Sequence, residues 1–384
     1  MRDPRIDRLA MVLVNYSTGI KPGQLVRLSG DPIATPLLEA LYEQVIKAGA
    51  HPFIKMTPNS ASEIFLKNAS DQQLAYVNPL ALQEVQAIDV SIGIWAETNT
   101  KALSHIDPKK QSIASSARTP ISSTFMKRAA IPDGEKGKLY WCGTLFPTQA
   151  SAQDAQMSLA EYCDFVYQGG HLDKPDPIAQ WRQVEKSQQL VADYLTGTKE
   201  IHFETANGTD LRVNVQDMTW VNCCGKENFP DGEVFTGPNL KAKCGGVNGT
   251  VNYSFPAVHN GREVNDIQLT FEKGRVVNAK ASSNQDFLNQ MLDMDPGARS
   301  VGEVAIGTNY NIQQYTKNTL FDEKIGGTFH LAVGAGYPET GNANQSGLHW
   351  DMVCDLRTGG TIKVDGKTIS IDGKFVFDGW PGND

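Results

Sequence analysis

Two hydrophobic patterns alternate along the first half of the chain. Short, nearly continuous apolar stretches occur in QLVRLSGD, HPFIKM, AIDVSIGIWAE and KLYWCGTLF, which is typical of parallel strands buried on both faces. Between the first two strands, TPLLEALYEQVIKAGA places apolar residues at helical spacing from Leu37 to Val45. Strand, helix and strand together form a βαβ unit. The first half therefore predicts an α/β N-terminal doubly wound domain around a parallel sheet.

The pattern changes after a long amphipathic segment, DPIAQWRQVEKSQQLVADYLTG, which predicts a helix that ends near Gly197. Beyond it, short β segments are separated by Gly, Asn and Asp turns, as in TDLRVNV, DIQLTFEKGRVV and GTIKVDGKTISIDGKFVF. A helix is predicted around NQDFLNQMLD. We therefore expect residues 1–197 to form the α/β domain with its long connecting helix, and residues 198–384 to form a β-rich α+β C-terminal domain.

Composition narrows the class of protein. The 384 residues are 40% hydrophobic and 20% charged, as in a globular protein, and the net charge of −8 disfavours nucleic-acid binding. No apolar run approaches the roughly 20 residues that cross a bilayer, and MRDPRIDRLAMVLVNY lacks a signal-peptide core. The six cysteines show no CxxC spacing. We expect a cytoplasmic protein with reduced thiols that binds neither nucleic acid nor membranes.

One apolar stretch near the C-terminus carries two polar side chains. In GLHWDMVCDL, His349 and Asp351 are two residues apart, so in a strand both point to the same face. Burying an unpaired carboxylate costs on the order of several kcal/mol, so a compensating partner is required. That partner could be a His–Asp hydrogen bond, a nearby Arg or Lys, or a metal ion. The pair alone leaves all three open.

Three further polar residues occur in apolar surroundings of the same half. His330 lies in GTFHLAVG, Glu303 in SVGEVAIGTN and Glu233 in FPDGEVFTGP. Each has an ordinary structural explanation by itself, as a hydrogen-bonded core histidine or a solvated turn residue. Together with His349 and Asp351, however, they supply three carboxylates and two imidazoles, which suits two divalent ions sharing one bridging carboxylate. The spacing leaves both explanations open, because it matches no short signature such as H-E-x-x-H.

Several motifs in one order resemble the aminopeptidase T family of thermophilic metallo-aminopeptidases. They are FPDGEVFTGP, LTFEKGRVV, GEVAIGTN, NTLFDEKIGGTFHLAVGAGYPET and HWDMV. KPGQLVRLSGD and KAGAHPFIKM are similar to the N-terminal region of the family, and DPIAQWR to its interdomain helix, so the likeness spans most of the chain. One departure is Gly232 before Glu233, where family members often have two adjacent acids.

The resemblance implies a homodimeric exopeptidase that removes the N-terminal residue from peptides with a free N-terminus. It implies two divalent ions per subunit, zinc, cobalt, manganese or magnesium, in a C-terminal catalytic domain. The positions that match the metal ligands of the family are Glu233, Glu303, His330, His349 and Asp351. Tyr337 matches a tyrosine at or beside the metals, as a ligand or an oxyanion donor. Glu303 is the expected bridging carboxylate, and Glu303 and Glu339 are the candidates for the proton acceptor.

Two other functions compete with this one. His330, His349 and Asp351 alone would form the facial triad of a mononuclear Fe(II) ring-cleaving dioxygenase. A non-catalytic binder of peptides or metabolites is the other alternative. Glu233 and Glu303 have no role in a mononuclear triad, and a pure binder does not need five buried polar groups. Metal count, oxygen uptake and release of free amino acid distinguish the three.

Overall fold

The computed structural model describes residues 2–259, 261–378 and 380. The chain divides into two compact units, Met1–Ile178 with Gly225–Pro230, and Ala179–Cys224 with Asp231–Asp384. The division falls in the first turn of the long helix that the sequence predicts to end near Gly197. The boundary at residue 197 stays a prediction about which segments fold independently. Among the described helices, none combines the length and the apolar character that crossing a membrane requires.

The secondary structure of the described residues alternates as the sequence patterns indicate. The helices are α1 (Pro4–Val12), α2 (Thr35–Lys47), α3 (Asn59–Asn68), α4 (Asp71–Leu74), α5 (Pro79–Ala87), α6 (Pro108–Ala129), α7 (Gln149–Asp154), α8 (Leu159–Gly169), α9 (Pro177–Leu195), α10 (Gln285–Leu292) and α11 (Thr319–Asp322). The strands are β1 (Leu25–Gly30), β2 (His51–Met56), β3 (Val90–Trp95), β4 (Tyr140–Leu145), β5 (Glu200–Glu204), β6 (Asp210–Asn214), β7 (Val221–Cys223), β8 (Asn228–Phe229), β9 (Glu233–Thr236), β10 (Val247–Asn252), β11 (Ala257–His259), β12 (Arg262–Val264), β13 (Gln268–Glu272), β14 (Arg275–Lys280), β15 (Val301–Gly307), β16 (Thr328–Gly334), β17 (His349–Asp355), β18 (Thr361–Val364), β19 (Lys367–Ile371) and β20 (Lys374–Phe375).

The first unit contains a parallel sheet of five strands in the order β2-β1-β3-β4-β8. Strands β1 to β4 lie in the four apolar stretches that predicted them, and Val26 and Ile92 of the inner strands are buried. Helix α2 follows β1 and buries Leu37, Leu41 and Val45, because these residues recur on one face. The parallel sheet and the mixed helix and strand content confirm an α/β class for the chain.

The second unit contains two sheets of five or more strands, and all the strand pairings in them are antiparallel. One has eight strands in the order β14-β13-β10-β6-β5-β18-β19-β20, and the other has five in the order β17-β16-β15-β9-β7. Phe203 of β5 stacks on Phe329 of β16 with ring centroids 4.1 Å apart, so the two sheets pack through their apolar faces. Helix α10 contributes Phe287, Leu288 and Leu292 to the same hydrophobic core.

The five-stranded sheet has two chemically different faces. The face toward this core carries alternate apolar residues of β15, β16 and β17, namely Val304, Ile306, Phe329, Leu331, Val333, Trp350, Met352 and Cys354. Because side chains alternate along a strand, the residues between them point to the other face. That other face carries the polar residues that the sequence analysis selected.

Candidate metal centre

Strand register brings the predicted residues to one face of the five-stranded sheet. Glu303 of β15 lies opposite Ala332 of β16, which in turn lies opposite Asp351 of β17. Opposed residues share a face in an antiparallel pair, and so do residues two positions apart in one strand. His330 is two residues from Ala332, and His349 is two residues from Asp351. All four polar side chains therefore point the same way.

Glu233 joins this face from β9 on the other side of β15. Glu233 lies opposite Gly307 of β15. Gly307 is two residues from Ala305, which lies opposite His330, so Glu233 and His330 share a face. The positions that separate the polar side chains are occupied by small residues, namely Ala305, Gly307, Ala332 and Gly334. Small residues at these positions leave space above the sheet in which the long polar side chains converge.

A β-bulge determines where Glu303 lies in the register. The pairing of β15 with β16 shifts between Val301 and Glu303, at Gly302. A Cβ atom on Gly302 would lie 1.9 Å from the carbonyl oxygen of Ala335 and 2.4 Å from its carbonyl carbon. Only glycine fits without moving the backbone, so this residue allows the close approach that places Glu303 opposite Ala332.

The converging atoms form two groups that share one residue. Nε2 of His330 lies 3.4 Å from Oε2 of Glu233 and 3.4 Å from Oε1 of Glu303. Nε2 of His349 lies 3.4 Å from Oε2 of Glu303 and 3.6 Å from Oδ1 of Asp351. Within the group Glu233, Glu303 and His330, and within the group Glu303, His349 and Asp351, the ligand atoms all lie within 4.8 Å of one another. Glu303 belongs to both groups, one oxygen to each imidazole.

The donor atoms fit a divalent cation. In the described part of the chain, buried Oε2 of Glu233, Nε2 of His330 and Oδ1 of Asp351 have no hydrogen-bond partner. Leaving a buried polar atom unpaired costs about 1–3 kcal/mol, so three such atoms facing one another require a compensating group. Imidazole nitrogen and carboxylate oxygen are the ligands that zinc, cobalt and manganese take in proteins. A metal ion is therefore the chemically suitable occupant of this cluster.

The electrostatics of the metal-free cluster also favour cations. Burial opposes a charge on His330, but Glu303 and Glu233 outweigh it and raise the pKa of His330 to about 9. Burial likewise opposes a charge on His349, and Asp351 and Glu303 raise its pKa to about 10. Burial would raise the pKa of Glu303, but the two imidazoles lower it to about 2. Protons on the imidazoles thus supply the positive charge that bound metal ions would otherwise supply.

The backbone fixes the tautomer of His349. Its Nδ1 lies 2.9 Å from the carbonyl oxygen of Ala335. Because a carbonyl oxygen only accepts hydrogen bonds, Nδ1 carries a proton and donates it. In the neutral ring Nε2 then presents its lone pair toward Glu303 and Asp351, which is the usual orientation of a histidine that binds a metal.

Tyr337 lies at the edge of the cluster. Its ring makes edge-on contacts with Phe235 and with His349, each with centroids 5.3 Å apart. Burial, together with Glu303 and the neighbouring carboxylates, raises the pKa of Tyr337 well above its usual value, so the hydroxyl stays protonated. Glu339 is exposed, and among the described residues it belongs to none of the groups that could hold a metal ion.

Three charged residues near the cluster were not selected from the sequence. Glu323 has a ligand atom within 4.8 Å of those of His330 and Asp351, and Lys324 and Asp231 are buried beside Glu233. Glu323 and Lys324 lie between α11 and β16, in the segment FDEKIGG. The charged triplet DEK next to an apolar strand could have indicated these residues, although such triplets usually form solvated turns.

The family profile of the thermophilic metalloproteases (M29) matches residues 2–375 of this sequence. The chain belongs to this family. Among curated relatives, this M29 metalloprotease is 27% identical to Aminopeptidase 2 of Geobacillus stearothermophilus, over 98% of each chain. Among solved structures, it is similar to wild-type AmpT from Thermus thermophilus, with a TM-score of 0.83 and 22% identity, over 97% of this chain and 99% of that one.

A second structural likeness concerns the fold alone. The M29 chain is also similar to 2,5-dihydroxypyridine dioxygenase from Pseudomonas putida KT2440, with a TM-score of 0.59 and 14% identity, over 98% of each chain. Proteins that share a fold can differ in chemistry, so function has to be argued from the side chains of the site.

Proposed function

We propose that this M29 metalloprotease is an aminopeptidase, which hydrolyses the N-terminal residue from peptides with a free N-terminus. We propose further that the reaction uses water activated by two divalent metal ions. The observation that supports this most strongly is the position of Glu303, which faces His330 with one carboxylate oxygen and His349 with the other. A carboxylate placed in this way is suited to bridging two ions.

The ligands that we assign are the five convergent residues Glu233, Glu303, His330, His349 and Asp351, with Tyr337 beside them. Zinc, cobalt, manganese and magnesium are the candidate metals. Bound divalent ions would lower the pKa of a water molecule from about 15.7 toward about 7 and would polarise the scissile carbonyl. Two ions in one site are also suited to hold both the attacking oxygen and the substrate group.

The side chains of the cluster supply the remaining chemistry. The hydrogen bond from Nδ1 of His349 to Ala335 holds the imidazole in one orientation throughout the reaction. The protonated hydroxyl of Tyr337 donates a hydrogen bond to the oxyanion that forms when the carbonyl is attacked. Glu339 is exposed and lies outside the ligand groups, so we assign the proton that the water loses to Glu303 or to the other ligands of the attacking hydroxide.

We also infer the larger organisation of the protein. The β-rich α+β second unit would be the catalytic domain, and the first a doubly wound α/β domain, which the sequence predicts over residues 1–197. The resemblance to aminopeptidase T supports a homodimer. The net charge of −8 disfavours nucleic acid as a partner. We also propose a cytoplasmic location and no membrane partner.

Turnover of a free amino-terminal substrate tests the proposal. Purified protein loaded with Co²⁺ or Zn²⁺ is expected to release p-nitroaniline from leucine or arginine p-nitroanilide, and to bind two ions per chain by elemental analysis. A chelator should abolish the reaction and added metal should restore it. The same substrate with an acetylated amino group is the control and should not react. Failure to release any amino acid from a broad panel of peptides by the loaded protein would contradict the proposal.

The dioxygenase alternative is kept because of the shared fold. His330, His349 and Asp351 would bind one Fe(II), and oxygen uptake with a dihydroxylated ring substrate would then accompany a metal count of one. Glu233 and Glu303 argue against this alternative, since their oxygens lie 3.4 Å from the imidazoles and would be left without a role. A non-catalytic binder would hold metal without any turnover.

A further inference from the structure

A fully buried lysine lies beside the proposed metal centre. Lys324 has no solvent-exposed surface. Its ammonium group contacts Oε1 of Glu233, lies 2.8 Å from Oε1 of Glu323 and lies 3.4 Å from Oδ1 of Asp231. Three carboxylates around one buried ammonium group favour its charged form. The side chain is therefore a permanent positive charge inside the second unit.

This charge gives the two oxygens of Glu233 different environments. Oε1 is held by the ammonium of Lys324. Oε2 has no hydrogen-bond partner among the described residues and lies 3.4 Å from Nε2 of His330. A carboxylate can bind a metal ion through one oxygen or through both. Since Oε1 of Glu233 is already paired with a cation of the protein, Oε2, which faces His330, is the oxygen better placed for a metal ion.

The net charge of the cluster is a second argument for a role of Lys324. Five carboxylates lie in or against the cluster, namely Asp231, Glu233, Glu303, Glu323 and Asp351. With all five ionised in the metal-bound state, the set carries five negative charges. The ammonium of Lys324 reduces this to four, which equals the charge of two divalent ions. Without Lys324, one buried negative charge would remain unbalanced, which is strongly destabilising away from water.

We propose that Lys324 is a positioning residue of the metal centre, a built-in cation that makes Glu233 a single-oxygen ligand and balances the site for two divalent ions. The inference rests on the proposed function, because it requires the pair of ions. It differs from a purely structural ion pair in one respect that can be measured. A structural ion pair would affect the stability of the fold, whereas a positioning residue also changes metal binding by protein that is folded.

The experiment compares metal binding by the metal-free full-length protein and its variants. Lys324→Met removes the charge and keeps most of the side-chain length, and Lys324→Arg keeps the charge with a different shape. Lys363→Met is the matched control, because Lys363 also forms an ion pair in this unit, with Glu204, but in the eight-stranded sheet. Each protein is titrated with Co²⁺, followed by its visible absorption, and the bound metal is counted by elemental analysis after dialysis.

The wild-type protein and Lys363→Met are expected to bind two Co²⁺ ions with the same affinities. Lys324→Met is expected to bind one ion normally and the other at least about tenfold more weakly, because Glu233 loses its fixed orientation. Lys324→Arg is expected to keep two ions with a shifted visible spectrum. Two ions bound by Lys324→Met with wild-type affinity and spectrum would overturn the inference.

A charge-matched double variant guards against a failure to fold. Lys324→Met with Asp231→Asn removes one charge of each sign, so no extra buried charge remains, and circular dichroism reports whether it folds. The double variant keeps the charge balance but loses the cation that holds Oε1 of Glu233, so one ion is still expected to bind more weakly. Normal binding of both ions by the double variant would overturn the positioning role of Lys324. Wild-type protein that binds no Co²⁺ would overturn the proposed function and the inference together. Normal two-ion binding by the wild type, by Lys324→Met and by the double variant would overturn the inference alone and leave the proposed function standing.

Discussion

Glu303 and His349 meet across an intervening strand, with Oε2 of the carboxylate 3.4 Å from Nε2 of the imidazole. Glu303 belongs to β15 and His349 to β17, and β16 lies between them. Contact over this distance is possible because the residues of β16 on that face are small where the side chains cross, at Ala332 and Gly334. The second oxygen of Glu303 meets His330 of β16 itself. One carboxylate thus links the side chains of three strands.

Removing the charge of Glu303 should prevent the binding of two metal ions. In Glu303→Gln the side chain keeps its size, but it has one acceptor oxygen and no charge, so it cannot serve two cations. Bound metal is expected to fall from two ions to at most one, and turnover of leucine p-nitroanilide by at least about 10³-fold. Elemental analysis and initial rates measure both. Glu272→Gln, an exposed residue of β13, is the control. Two ions retained by Glu303→Gln would show that the carboxylate is not a bridge.

Tyr337 is expected to affect the reaction without affecting metal content. In Tyr337→Phe the edge-on contacts with Phe235 and His349 remain, and only the hydroxyl is lost. Loss of one donor to an oxyanion typically lowers kcat by about 10²–10³-fold, with a small change in KM. Kinetics with leucine p-nitroanilide and elemental analysis on the same sample check this. A Tyr337→Phe protein that loses one ion would instead identify the hydroxyl as a metal ligand.

The sequence identified the five side chains that converge, but it did not predict how they meet. His349 and Asp351 share a face because their spacing of two residues is a local property of any strand. The position of Glu303 relative to His330 depends on strand register, which is set by pairing between segments far apart in the chain. It also depends on the bulge at Gly302. A single sequence contains no local signal for the register, and Gly302 indicates only that a bulge can form there.

Lys324 illustrates what sequence patterns miss. Lysine is rarely buried, so the segment FDEKIGG indicates a solvated turn rather than an internal cation. Its burial follows from the packing of the segment against β9, where Glu233 and the preceding Asp231 offset the charge. Strands β1 and β3 of the first unit, by contrast, can be predicted from the sequence alone. Their apolar stretches are long enough to identify them as inner strands of a parallel sheet without tertiary information.

Substituting the bulge glycine should destabilise the second unit. In Gly302→Ala the new methyl group would lie 1.9 Å from the backbone oxygen of Ala335, so the two strands must separate. We expect a loss of about 1–3 kcal/mol in the free energy of unfolding, as for other overpacked sites. Urea unfolding of the metal-free protein measures this. Gly93→Ala in β3 is the control, because beyond its chain neighbours the nearest atom to the added Cβ would be the hydroxyl oxygen of Ser29, 3.9 Å away. Equal midpoints for the two variants would contradict the role of the bulge.

Metal binding should release protons, and the number follows from the two histidines. Their pKa values in the metal-free protein are about 9 for His330 and about 10 for His349, so both imidazoles are charged at pH 7. Glu303, with a pKa of about 2, has no proton to lose at that pH. Because a metal ion binds the neutral imidazole, loading at pH 7 must displace at least two protons.

Calorimetric titration of the metal-free protein with Co²⁺, in two buffers of different ionisation enthalpy, counts these protons. The raised pKa values of the two histidines determine the direction in which metal affinity changes with pH. Affinity should fall as the pH is lowered below about 10, and more steeply below about 9, and the release should disappear above about 10, where both imidazoles are already neutral. His349→Ala should release one proton fewer than wild type. The same binding enthalpy in both buffers at pH 7 would mean that the imidazoles are neutral before metal binds, and the carboxylates would then not hold them charged.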